Sequence, residues 1–406
     1  MRRFVQIRFK YSIQSCSDDR TVLCTLPPIP TPNPKNILMR TLSHHFRFTG
    51  IALFLVVLFA GCTTGKPAAE YDAATDSLRF DGEDHFRNVK QLTFGGNNAE
   101  AYWSFDDEKI VFQSDWSEIN EQGCDQIYIM DPEGPDGYKL VSTGMGRTTC
   151  SYFLTDGRIM FGSTHSDNKE CPAPVAFGQG RYVWPIYTSY DIFVADADGS
   201  NIELLIGGEG YDAEATASPD GKWIIFTSTR SGDLELWRYE LETGAVLQLT
   251  SGLGYDGGAF FSPDSQHIVW RASRPEGEAA EVYKSLLAEN VVEPSALNLF
   301  VADIDGSNAV QVTDLPGANW APFFHPSGEK IIFTTNHHMD NGKGRIFDLF
   351  MVNLDGSGLE QVTKSGTFDG FPMFSNDGKR IAFASNRNID RTDSRDTNVF
   401  VAEWVE

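Results

Sequence analysis

Two sets of side chains recur at fixed places along this 406-residue sequence and could do chemistry together. The first is Asn98, Thr148, Asp212, Asp256, Asn319 and Asp369, which open successive similar segments. The second follows seventeen or eighteen residues later: Trp116, His165, Arg230, Arg274, His337 and Arg387. Acids and amides facing cations, with Trp184, Tyr187 and Trp320 nearby, could stack a sugar or hold a peptide. The candidate ligand-binding residues are therefore Asp212, Asp256, Asn319, Asp369, His165, Arg230, Arg274, His337, Arg387, Trp116 and Trp184. A structural role competes with this one. Each Asp can cap its own turn and pair with a neighbouring Arg, tying blade to blade, and the aromatics can pack the insertions down.

Other chemistries are weaker. His165 and His337, with Asp212 or Asp256, include the right ligand types for a divalent metal. No spacing among them is diagnostic, and adjacent His337 and His338 would point to opposite faces of a strand. The Asp-x-Asp-Gly-Ser turns at Asp198, Asp305 and Asp355 resemble the opening of a calcium loop but lack its distal Glu, so hairpin geometry explains them. There is no Gly-x-Ser-x-Gly elbow and no phosphate-cradling glycine loop before a helix. Setting aside Cys16, Cys24 and Cys62 leaves Cys124, Cys150 and Cys171, enough for one disulfide whose pairing stays open.

These residues must be positioned by a repeated element. The stretch from Gly210 to Arg230 reads as strand, tight Pro219-Asp220-Gly221 turn, and second strand. Similar stretches surround Ser262-Pro263-Asp264, His325-Pro326-Ser327-Gly328 and Ser375-Asn376-Asp377-Gly378, with looser copies around Ser104-Phe105-Asp106-Asp107 and Thr155-Asp156-Gly157. Each is followed by a connection of variable length, a third strand such as Asp191 to Ala195, and a fourth ending Gln-Leu/Val-Thr. Six units of four short antiparallel strands predict an all-β, six-bladed β-propeller.

The ends predict how the ring closes. The sixth unit stops after its third strand, Val399 to Trp404, while an orphan fourth strand, Val89 to Thr93, precedes the first unit. The N-terminal strand should complete the last blade, which removes the exposed edges of an open array. Long insertions fall between second and third strands, at 165–190 in unit two and 275–296 in unit four, where Glu281 to Leu287 reads as an amphipathic helix. Such loops on a rigid scaffold are where sites usually sit.

The Ser-Pro-Asp-Gly-Lys turns, Phe-x-Ser-x-Arg strand ends and Asp-x-Asp-Gly-Ser turns resemble the TolB-type (WD-like) β-propeller repeat over about residues 84–406. The α/β N-terminal domain and extended arm of TolB find no counterpart in the sequence. The resemblance implies a binding or scaffold propeller of the cell envelope, recognising a protein, peptide or polysaccharide through its loop-rich rim. Oligogalacturonate lyases share such repeats. Their likeness implies the alternative, a metal-assisted polysaccharide lyase or hydrolase using His165 and His337. The enzyme reading is the weaker of the two, and no cofactor is expected beyond that metal.

The formal charge of −23 is uneven. Residues 1–61 carry eight Lys/Arg and two Asp/Glu, which leaves the remainder near −29 and disfavours nucleic acid as a partner. Residues 39–61 combine a basic start with an apolar run from Ile51 to Ala60, and Gly61-Cys62 follows. This resembles a bacterial lipoprotein signal, which implies lipidation at Cys62, a periplasm-facing location and, with Thr63 next, the outer membrane. The expected division is 1–38 as an upstream or disordered extension, 39–61 as signal, 62–80 as tether and 81–406 as a monomeric propeller.

Overall fold

The computed structural model describes residues 76–134, 137–173, 182–388 and 395–406. The signal segment, Cys62, most of the tether and Arg181 lie outside the described residues. No helix among those described is long and apolar enough to cross a membrane.

Six four-stranded antiparallel sheets make up the body. Their inner strands are Asn98–Trp103, Thr148–Phe153, Asp212–Ala217, Asp256–Phe261, Asn319–Phe324 and Asp369–Phe374. Each packs against the next, and the first meets the last, so the sheets stand radially around a channel. Blade 6 comprises Asp369–Phe374, Arg380–Ser385, Asn398–Trp404 and, as its outer strand, Phe86–Gln91. Lys90 pairs with Val401 and Gln91 with Phe400, and the Leu92 N–H donates to the Val399 carbonyl at 2.8 Å. The N-terminal strand thus closes the ring.

The repeated motifs have local causes. The Phe of each Phe-x-Ser or Phe-x-Thr becomes the buried centre of a second strand: Phe112, Phe161, Phe226, Phe333 and Phe383, with Trp270 in blade 4, are at most 1% exposed. Burial of one such ring contributes roughly 1.5–3 kcal/mol, so this position does much to hold blade against blade. The Ser turns the chain out of its strand. Ser228 Oγ accepts the Arg230 N–H at 3.2 Å, and Ser385 Oγ accepts that of Arg387 at 3.0 Å. The Thr ending Gln-Leu-Thr bonds the third strand. Thr250, Thr313, Thr363 and Thr93 accept the N–H groups of Leu236, Leu299, Leu349 and Val399 at 2.8–2.9 Å. Thr93 makes the bond in blade 6 that its counterparts make in their own blades, which explains why the orphan strand docks there in register.

The Asp-Gly-Ser turns close on themselves. Ser307 Oγ donates to Asp305 Oδ1 at 2.5 Å and Ser357 Oγ to Asp355 Oδ1 at 2.6 Å, so a turn carboxylate already has its donor. These hairpins and the Pro-Asp-Gly turns fall at one end of the strands. The links between second and third strands, and between blades, fall at the other.

Candidate functional site at the channel mouth

Each inner strand carries a bulge at its third residue. Glu100, Cys150, Glu214, Gly258, Ala321 and Phe371 all have φ between 47° and 59°. The pairing with the second strand shifts register across each of them. A left-handed residue at a bulge leaves the ladder and is re-aimed. All six third residues line one cavity of about 1150 Å³ at the insertion-bearing end of the channel. Holding five non-glycine residues in this conformation costs roughly 1–2 kcal/mol apiece, a strain usually kept where a side chain must point in a set direction.

The six are not alike, and the differences make the site. Gly258 leaves a gap that Arg271, from the second strand of the same blade, fills. The Arg271 guanidinium donates to Glu214 Oε1 and to the Tyr255 hydroxyl. Glu214 is otherwise saturated: Tyr255 donates to Oε1 at 2.7 Å, while Thr227 Oγ1 and the Gly258 N–H donate to Oε2 at 2.7 and 2.9 Å.

Glu100 is the contrast. Its residue is partly open to the cavity, but Oε2 is shut from solvent and has no hydrogen-bond partner. Burial pushes its carboxyl up to about 7; the Cys150 thiol opposes this, the Glu214 charge adds to it, and Arg271 offsets part. The Cys150 thiol is free and, by burial and then by the charges of Glu100 and Glu214, held well above its ordinary value. It is a protonated neighbour rather than a nucleophile.

The opposite wall is aromatic. Trp320 stands edge-on to Phe371 at 4.8 Å and to Trp184 at 6.1 Å, with Phe368 stacked at 6.3 Å. Trp184 comes from the blade 2 insertion, which pairs with the blade 4 insertion: Val292 opposes Trp184, Val291 opposes Pro185, and the Ile186 N–H donates to the Asn290 carbonyl at 2.7 Å. This two-stranded strap joins blades 2 and 4 past blade 3. Its blade 4 arm begins with the helix Gly277–Ala288, which buries Tyr283 and overlaps the expected helix. The blade 2 arm is held at its base by a Cys124–Cys171 disulfide to blade 1, which settles the open pairing and leaves Cys150 in the channel.

The residues nominated from sequence occupy different places. Arg230 donates to Asp212 at 2.7 Å, Arg274 to Asp256 at 2.7 and 2.9 Å, and Arg387 to Asp369 at 2.9 Å. The acids are at most 1% exposed. Asn319 accepts from Thr335 at 2.6 Å. These pairs tie the inner strand of a blade to the end of its own second strand, not blade to blade as expected. Arg387 alone reaches further, donating also to Glu83 at 2.9 Å from the segment leading into the N-terminal strand. His165 and His337 sit in blades 2 and 5, each hydrogen-bonded to its own strand hydroxyl, Ser163 at 2.8 Å and Thr335 at 3.1 Å. They are not brought together, and no group of three or more His, Cys, Asp or Glu suited to a metal occurs among the described residues. Trp116 packs beside Gly95 and Gly96. Of the nominated set, Trp184 lines the cavity; so do Tyr187 and Trp320. The signal for the rest was the third residue of each copy, which varies as Glu, Cys, Glu, Gly, Ala and Phe between positions that repeat.

No protein-family model matches the sequence. An uncharacterized protein of Agrobacterium fabrum is 27% identical over 149 residues, 36% of this chain and 46% of that one. A Tol-Pal system protein TolB of Anaeromyxobacter dehalogenans is 28% identical over 154 residues, 36% of this chain and 28% of that one. The chain thus spans less than half the length of these curated relatives. Among solved structures, a putative TolB from Agrobacterium tumefaciens superimposes with a TM-score of 0.50 at 15% identity, covering 78% of this chain and 97% of that one. In repeat and fold, the chain is similar to TolB-type β-propellers.

Proposed function

We propose that this chain is an exported binding propeller, lipid-anchored at Cys62, that captures part of a cell-envelope protein in the cavity at its insertion-bearing face. The observation that carries the reading is the cavity itself. Six inner-strand bulges aim into it and two insertions pair beside it, so chain length and backbone strain are both invested at one end of the channel. Its size and aromatic lining suit a peptide segment or the end of a glycan chain, and the likeness to a Tol-Pal protein favours the protein partner. The anchor is supported by the sequence of residues 39–62.

A photoreactive residue replacing Tyr182, which is exposed at the cavity mouth, should crosslink to an envelope protein in intact cells. One replacing Lys222, on the opposite-face turn, should not. Crosslinks confined to Lys222 would reject the assignment of the face. Palmitate should label the wild type and not Cys62→Ala; equal labelling would reject the anchor.

A further inference from the structure

Around the channel the six third residues divide into two arcs. Glu100, Cys150 and Glu214 belong to blades 1 to 3, and Gly258, Ala321 and Phe371 to blades 4 to 6. On the polar arc Glu214 has four donors and needs none from a ligand. Glu100 Oε2 has none at all and is shut off from solvent. A buried carboxylate oxygen without a donor is costly, and the cavity that Glu100 lines is the side from which a donor could approach its carboxylate. On the other arc, Trp320 and Phe371 line the cavity, set edge to face at 4.8 Å, and aromatic rings of this kind attract cations. The cavity's Arg271 and Arg147 are already committed to Glu214 and Asp125, so an anion would find no open partner in either. A neutral hydroxyl could satisfy Oε2 but would gain little from the rings or from Glu214.

We propose that this cavity receives a cationic head group, an ammonium or guanidinium on an apolar stem, with Glu100 as its counter-ion and Trp320 and Phe371 about the stem. This rests on the partner-capture reading and names the feature captured: a lysine, an arginine or a free amino terminus. Capture is linked to a proton. The titratable and charged groups facing Glu100 are Cys150, Glu214, Arg271 and Tyr102. Cys150 and Tyr102 stay protonated because burial raises both well above their ordinary values. Glu214 and Arg271 pair with each other. Glu100, at about 7, is the group that changes charge. A bound cation favours its ionised form, so binding below that pH releases the proton to solvent, and affinity rises as pH climbs through it.

Tryptamine, tryptophol and indole-3-acetate share one ring and differ in head group. Calorimetry on the propeller-bearing full chain should show tryptamine binding about tenfold more tightly than tryptophol above neutral pH. Indole-3-acetate should be weakest. Near neutral pH, tryptamine should release a fraction of a proton, measured across buffers of different ionisation enthalpy. Glu100→Gln should remove the amine's advantage. Equal binding of the three probes, a preference for the acid, or no binding of tryptamine would overturn the proposal. If Glu100→Gln does not fold, the wild-type proton count decides, and tryptamine binding without proton release overturns it. A negative result with the Tyr182 crosslink intact removes the cation and leaves the partner; the reverse pattern removes the partner.

Discussion

The guanidinium of Arg271 stands where any side chain on Gly258 would have to go. A Cβ at Gly258 would lie 1.6 Å from Arg271 Nη1, at a φ of +59°. Gly258→Ala should therefore dislodge Arg271 from a side-chain environment only 9% exposed and strand Glu214 without its cation. Breaking a buried pair in this way costs about 3–5 kcal/mol. Urea unfolding should show a loss of that order, and a change below about 1 kcal/mol would contradict the packing described.

Arg387, Asp369 and Glu83 form a triad with no side-chain exposure, and Glu83 is the member that belongs to the N-terminal segment. Arg387→Met would leave two buried carboxylates facing each other, at a cost of about 3–5 kcal/mol. Glu83→Gln should be milder and local. Hydrogen exchange should accelerate first in Phe86–Gln91, before the inner strands respond. Uniform acceleration across all six blades would argue that the closing strand is not a separable unit.

Glu100 gives stability a pH dependence with a defined sign. Its folded-state carboxyl, at about 7, lies above the ordinary 4.5, so the native state holds a proton that the unfolded chain gives up. The contribution is fully present below about 4.5 and is lost as pH rises through about 7. Melting temperatures of Glu100→Gln should gain on the wild type between these limits. A constant difference across that window would show that the carboxyl titrates normally.

The Cys124–Cys171 bond closes a loop of 47 residues, which in the chain-entropy picture is worth about 4 kcal/mol. Cys171→Ser should lower the melting temperature and raise protease sensitivity in the blade 2 insertion. Cys150→Ser should leave the disulfide and that insertion's protection unchanged. A free thiol count of three in the folded, unlipidated propeller region would refute the pairing.

The blades were legible in the sequence because their signals are local. Ser218, Ser262 and Ser375 each bond an Asp two residues on, and Thr93 carries the hydroxyl that any third strand requires. The sites of Asp212 and Arg230 were legible too, but not their use. Two recurrent opposite charges suggest a ligand or a clasp equally well, and only the register of Asp212 against Ser228 makes them a clasp. The cavity was hidden for a different reason. Strict alternation puts the third residue of an inner strand on the same face as the first, whereas the bulge at Glu100, Cys150 and Glu214 turns it toward the channel.

Blade 6 is built from both ends of the propeller, and its outer strand is the first among the described residues. Any tension applied ahead of Glu83 is therefore borne by the Glu83–Arg387 clamp and by the bonds of Phe86–Gln91 to Asn398–Trp404. Those elements form a mechanical seam. A pull strong enough to unzip it would open the circle at one defined joint while the other five sheets, carrying no load, kept their strands.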